Sequence, residues 1–274
     1  MARQNITKLG RRPAATDLMV ARVAGARQVS PSFVRVTVAG PDLRRLEWQG
    51  ADQWGRLFIP VDDGSALAKV PGKLTMGSYL RFLTLAKTER PLMRSYSFCG
   101  LRASAGEADP ELDLEFVLHR GPDGEYGPAA RWATECSPGD PIGLIDEGIG
   151  FAPPPSARHF CFAADETALP ALSAILAGLP EEATGTAVIE IPTDADRRDL
   201  TAPAGVEVAW ASRAGRPVPH GQLAIEAVRR IETAPEFGWA AGEAGLVAAA
   251  RRHWVGLGTP KSAVAFCGYW RSGH

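Results

Sequence analysis

No C-x-x-C pair occurs in this sequence; Cys99, Cys136, Cys161 and Cys267 are scattered along it. Iron–sulfur clusters take thiolates at tighter spacing and structural zinc takes paired ligands, so neither is expected. Three of the four lie in apolar strand-like runs, where a free cysteine behaves as a small buried hydrophobe. The chain therefore reads as a reduced, cytoplasmic protein. Its five histidines form no H-E-x-x-H motif, which leaves a protein-held metal without support. No apolar run approaches the roughly 20 residues that span a bilayer, so no stable membrane association is expected. A formal net charge of −1 lacks the basic excess that nucleic-acid binding requires. G-x-G-x-x-G is missing too, and with it the standard Rossmann fingerprint. No long apolar seam demands an oligomer, and a monomer is expected.

What is present falls into two halves over 274 residues, a length that suits two domains. Residues 1–16 carry Arg3, Lys8, Arg11 and Arg12 without an acid. Charge at Asp17 and Arg22 interrupts the apolar segment that a twin-arginine export signal would need, so this stretch reads as a flexible basic arm. From 17 to 152 the pattern is strand after strand: "LMVARVAGARQV", "SFVRVTVAG", "QWGRLFIPV", "MRSYSFCGL", "LDLEFVLHR" and "DPIGLID". Six short strands broken by Gly and Pro imply a six-stranded antiparallel barrel, since closure removes exposed edges. "LTMGSYLRFLTLAK" reads either as a helical insertion or as an ordered loop. "YGPAARWATECSPGD" reads as a helix with Pro128 at its first position. Its first free amides can face an anion, or the helix can simply plug the barrel.

After the stiff spacer "APPPSARH", residues 153–274 alternate apolar strands with amphipathic helices. That is the mark of a doubly wound parallel sheet, whose ligands bind beyond the strand carboxyl ends. Those ends carry Asp165, Glu166 and Thr167 after the first strand, and "AAGEAG" with Gly242 after the fourth. A barrel followed by such a sheet is the layout of the ferredoxin–NADP reductase class.

Several runs in order, "RSYSF", "VLHRGPDGEYGPAARW", "LIDEG", "ADETALPALSAILAGLP", "WAAGEAG…RRHW" and "FCGYWRSG", resemble the siderophore-interacting proteins, FAD-dependent ferric-siderophore reductases related to the vibriobactin-utilisation protein. The resemblance runs from about Asp17 to Gly273. It implies an FAD-binding barrel, an NAD(P)H-binding second domain, and FAD-mediated electron transfer from NADPH or NADH to a ferric siderophore. By the same resemblance Arg94, Ser95, Tyr96 and Ser97 hold the FAD, His119 faces it, and Gly127, Pro128, Ala129 and Trp132 supply a helix start for its diphosphate. Asp165, Glu166, Thr167 and Ala168 approach it from the second domain. Gly242 and Glu243 serve the nicotinamide nucleotide, and Trp270 of "GYWR" lies near the flavin ring. Arg56, Arg131 and Arg251 are candidate partners for an anionic siderophore. Two alternatives stand beside this reading: a flavin or electron-transfer reductase acting with a ferredoxin, and a non-catalytic flavin- or siderophore-binding protein.

The sequence departs from the family pattern in places. Cys99 stands where the motif R-x-Y-[ST]-x-R ends in arginine, which removes one positive partner for the diphosphate or adenosine. The usual H-G becomes "HRG", so Arg120 can replace some of that charge, and Ala164 replaces a glycine before "DETALP". Arg197 and Arg198 are the candidate cations for a 2′-phosphate, and the choice between NADH and NADPH stays open.

Overall fold

A computed structural model describes residues 4–6, 10–13, 17–60, 64–72, 76–86, 88, 90–102, 108–121 and 123–272. The chain divides into two units, one of residues 12–49 and 53–148, the other of residues 1–11, 50–52 and 149–274.

The first unit is a closed antiparallel barrel of β1 (Met19–Ser30), β2 (Phe33–Ala39), β3 (Trp54–Ile59), β4 (Leu92–Arg102), β5 (Glu111–Val117) and β6 (Pro141–Gly148), in the order β1-β2-β5-β4-β3-β6. Alternation in the sequence creates it. Met19, Ala21 and Val23 of β1 and Val34, Val36 and Val38 of β2 all point inward with Leu112, Leu114 and Phe116 of β5. Each fully buried Leu or Phe contributes about 1.5–3 kcal/mol by leaving water. A second apolar cluster, Phe58, Leu67, Val70, Phe82 and Ile145, decides the undecided insertion. It is a helix, α1 (Met76–Leu83), and its Phe82 ring meets Phe58 edge-on at 5.7 Å. The helix α2 (Pro128–Glu135) lies where the sequence put it, with Ala129 and Ala133 on the barrel core.

The second unit is a five-stranded parallel sheet in the order β11-β10-β7-β8-β9. Its strands are β7 (His159–Ala164), β8 (Thr184–Ile191), β9 (Gly205–Ser212), β10 (Phe237–Glu243) and β11 (Val264–Trp270). The helices α3 (Leu169–Ala177), α4 (Gln222–Val228) and α5 (Ala244–Leu257) follow β7, β9 and β10, while a short 3-10 turn (Asp194–Asp196) stands between β8 and β9. Every residue of β10 is buried, as a central parallel strand requires.

The expected arm over 1–16 lies partly outside the described residues, and Gln4 to Ile6 belong to the second unit. Gln4 bridges Cys267 in antiparallel sense, and the Asn5 amide donates to the Phe266 carbonyl at 3.1 Å. The Asn5 side chain donates to the Val264 carbonyl at 2.8 Å and accepts from the Phe266 amide at 2.8 Å. Ile6 is buried against Gly150, where any Cβ would lie 2.6 Å from that of Ile6. These residues cover the free edge of β11, which would otherwise offer unpaired backbone groups. Residues 50–52 also join this unit. There the Asp52 carboxylate accepts from the Gly150 amide (2.8 Å), the Phe151 amide (2.7 Å) and Trp239 Nε1 (3.0 Å).

Candidate functional site

In the barrel unit the site grows from the pairing of β3 with β4. Leu57 lies opposite Arg94, Arg56 opposite Ser95, Gly55 opposite Tyr96 and Trp54 opposite Ser97. Strand alternation therefore sends Tyr96 inward with Phe98, and Ser95 and Ser97 to the other face. Arg94 shares the parity of Tyr96 but lies near the exposed start of β4, so alternation sorts the phenol from the hydroxyls and strand position sets the charge apart. Arg94 and Ser95 are exposed, Ser97 is half-buried, and Arg94 donates to the Met93 carbonyl at 2.8 Å. The Tyr96 ring packs on Phe116 at 4.4 Å, and Phe116 meets Trp132 of α2 at 5.5 Å. Burial pushes the Tyr96 phenol up to about 12, against the pull of the Arg94 charge.

Helix α2 starts at Gly127 with no side-chain cap, no acid in its first turn, and Pro128 filling a position whose N–H would be unsatisfied. Such a start favours an anion. An open helix start, an exposed arginine and a file of three aromatics on one barrel suit a ligand that joins an anionic linker to a flat apolar ring. FAD fits that description. His119 is exposed just beyond β5. Cys99 carries no positive charge in either protonation state, and burial raises its thiol so that it stays neutral. Arg120, in contrast, is fixed in the loop before α2. It donates to the Gly124 carbonyl at 2.8 Å and to the Tyr126 hydroxyl at 3.1 Å, over a ring 4.2 Å away.

In the second unit one carboxylate organises the strand ends. Asp165 is fully buried, and Oδ1 accepts from the Thr167 amide at 2.8 Å and from its hydroxyl at 2.5 Å. Oδ2 accepts from the Glu243 amide at 2.6 Å and from Trp270 Nε1 at 2.9 Å. Burial, then the neighbouring Glu166 charge, push the Asp165 carboxyl up to about 6, while the donors pull it down. Gly242 sits at φ 123°, and a Cβ there would lie 2.5 Å from the Asp165 carboxyl carbon. The close approach that Gly242 permits is thus made by Asp165. Glu243 closes the start of α5 through the Gly245 and Leu246 amides, and Ala168 is buried at the end of the turn that leads into α3.

Three residues of this cluster carried no motif. Arg213, beyond β9, makes a two-pronged contact with buried Glu166 (2.6 and 3.0 Å) and a third bond to buried Glu190 at 2.8 Å. Glu190 also accepts from the Gly221 and Ala224 amides at the start of α4. His220 places its ring edge-on to Trp270 at 5.0 Å, with Nδ1 4.0 Å from Glu166. A lone glutamate inside the apolar run "TAVIEIP" was the available signal for Glu190, since a charge there must find partners.

Each arginine suggested for an anionic substrate has a partner. Arg56 pairs with Glu147 at 2.5 Å, Arg131 with Glu125 at 3.5 Å, and Arg251 lies over the Phe266 ring at 4.9 Å.

Comparison with known proteins places both units in one family. Residues 22–149 match the siderophore-interacting FAD-binding domain, and residues 157–273 match the siderophore-interacting protein family. An uncharacterised Mycobacterium tuberculosis protein is 35% identical over 195 residues, covering 71% of this chain and 65% of that relative, just under two thirds of its length. The ferric vibriobactin reductase ViuB of Vibrio cholerae is 29% identical over 190 residues, covering 68% of this chain and 64% of ViuB. The crystal structure of the siderophore-interacting protein SipS from Aeromonas hydrophila is 30% identical. It superposes with a TM-score of 0.73, covering 94% of this chain and 93% of that one. Ferredoxin reductases at 15% and 16% identity share the fold alone. The chain belongs to the siderophore-interacting protein family, with the barrel and parallel-sheet fold of the ferredoxin reductases.

Proposed function

We propose that this protein is a ferric-siderophore reductase that uses FAD and a reduced nicotinamide nucleotide to free iron from its chelate. The observation that carries this reading is the open, acid-free start of α2 on the same barrel as Arg94 and the Tyr96–Phe116–Trp132 file. Membership of the family, and the activity named for the Vibrio relative, support it.

In this reading the α2 amides and Arg94 hold the FAD diphosphate, a charge that is costly to bury without partners. Half-buried Tyr96 offers a flat ring surface to the flavin, and Ser95 and Ser97 offer hydroxyls. Bound FAD supplies the conversion of a two-electron donor into one-electron transfers. One NAD(P)H and two ferric chelates thereby give one NAD(P)+, one proton and two ferrous ions. Ferrous iron binds hard anionic oxygen donors more weakly than ferric iron does, so reduction amounts to release. Asp165 and Glu243 orient Trp270 and close α5, which presents a fixed surface to the nicotinamide.

The test is anaerobic. FAD-loaded protein is mixed with NADPH or NADH and a ferric siderophore, with a ferrous chelator as trap. Chelated ferrous iron at about two per nucleotide supports the reading. Oxidation of nucleotide only when free flavin or a ferredoxin is supplied would assign the protein to those acceptors instead. A colourless protein that cannot be loaded with FAD would make it a binding protein.

A further inference from the structure

In parallel α/β sheets the diphosphate of a dinucleotide sits on free amides at a helix start beyond the strand carboxyl ends. Among the described residues of the second unit, the helical turns at those ends are closed by the chain's own carboxylates. Asp165 takes the Thr167 amide after β7 at 2.8 Å. After β8, Asp196 takes the Thr193 amide at 3.2 Å and its hydroxyl at 2.8 Å in a capping box. Glu190 takes the Gly221 and Ala224 amides of α4 at 2.7 and 3.1 Å. Glu243 takes the Gly245 and Leu246 amides of α5.

The charge balance points the same way. Asp165, Glu166, Glu190, Asp196 and Glu243 are buried at these strand ends, and Arg213 is the buried guanidinium among them. Arg213 is already shared by Glu166 and Glu190. Arg197 is paired with Asp194 at 2.8 Å, Arg198 is half-buried next to it, and Arg216 is exposed and bonds the Ser212 carbonyl. An anion arriving here meets five buried carboxylates against one buried guanidinium, with the half-buried cation Arg198 two positions beyond Asp196.

We infer that the electron donor is recognised through its reduced nicotinamide half, and that the adenosine and diphosphate half adds little. The donor class is then a reduced nicotinamide nucleotide without selection for the 2′-phosphate. This rests on the reductase reading above and narrows it.

Two measurements on the FAD-loaded protein decide the matter. Anaerobic bleaching of the flavin is followed with NADPH, NADH and reduced nicotinamide mononucleotide, and calorimetry is run with adenosine 2′,5′-bisphosphate. The inference expects kcat/KM values within about tenfold across the three donors. It also expects no saturation by the bisphosphate up to about 1 mM. A preference larger than that for NADPH over the mononucleotide, or saturation below that concentration, overturns the inference and leaves the reductase reading intact. Failure of all three donors overturns both.

Discussion

Trp270 Nε1 and the Glu243 amide donate to the same oxygen, Oδ2 of Asp165, at 2.9 and 2.6 Å. One carboxylate thus ties the ends of β7, β10 and β11 together.

The Asp165 carboxyl is lifted from 3.8 to about 6, chiefly by burial. A carboxyl raised on folding keeps its proton in the folded state after the unfolded chain has lost it. Its contribution is therefore fully present below the unfolded value and is lost as pH rises through the folded one. At about 1.4 kcal/mol per pH unit, this predicts that wild type loses about 3 kcal/mol relative to Asp165→Asn between pH 4 and 6.5 or so. Urea midpoints of the two proteins across that range check it; parallel curves would refute it.

Gly127→Asp gives two effects of opposite sign. Gly127 has ordinary extended geometry (φ −60°, ψ 157°) and open space where a Cβ would go. An aspartate there caps α2 and raises stability by roughly 0.5 kcal/mol. The same charge occupies the helix start proposed for the FAD diphosphate, so FAD affinity falls at least tenfold or so. Thermal unfolding of the apoprotein and flavin fluorescence titration read the two effects separately.

Gly242→Ala drives a methyl group into the Asp165 carboxyl at a backbone angle that L side chains avoid. A loss of several kcal/mol is expected, on the order of 3. Adding Asp165→Ala removes the collision but not the backbone strain. The double variant should therefore lose less than the sum of the single ones, a coupling of about 1 kcal/mol or more in a double-mutant cycle.

Arg213→Met strands Glu166 and Glu190 as buried carboxylates without a cation. Removing one member of a buried ion network costs about 3–5 kcal/mol. Arg213→Lys keeps the charge but loses the two-pronged contact with Glu166, and should fall between. Denaturant midpoints at neutral pH give the order wild type, Lys, Met.

The barrel could be read from alternation alone, because β1 and β2 repeat apolar residues every second position and one barrel face is wet. Pro128 marked the start of α2 for a backbone reason that any sequence displays. Asp165 was visible as a cap beside a strand end. Arg213 and His220 were not, because they sit in "ASRAGRPVPH", a loop with no periodicity, and acquire their roles from Glu166 and Glu190, which are 47 and 23 positions from Arg213 in the chain. Gly242 was noticed, but the group it makes room for was not, since only the β7–β10 pairing brings Asp165 to it. The placement of Asn5 and Ile6 escaped notice for a related reason. Three residues are too few to show a strand pattern, and their pairing partner is at the other end of the sequence.

That last pairing bears on how the chain is made. The Asn5 side chain reaches a carbonyl 259 positions away, so nothing exists to receive it until the chain has been made through Val264. The barrel can close on a ribosome with its own strands alone, whereas the parallel sheet keeps one raw border throughout. Sealing that border falls to residues made long before the strand they cover. A bulky insertion just ahead of Gln4 would thus be felt at β11, whose bonded residues lie 259 and 261 positions beyond Asn5.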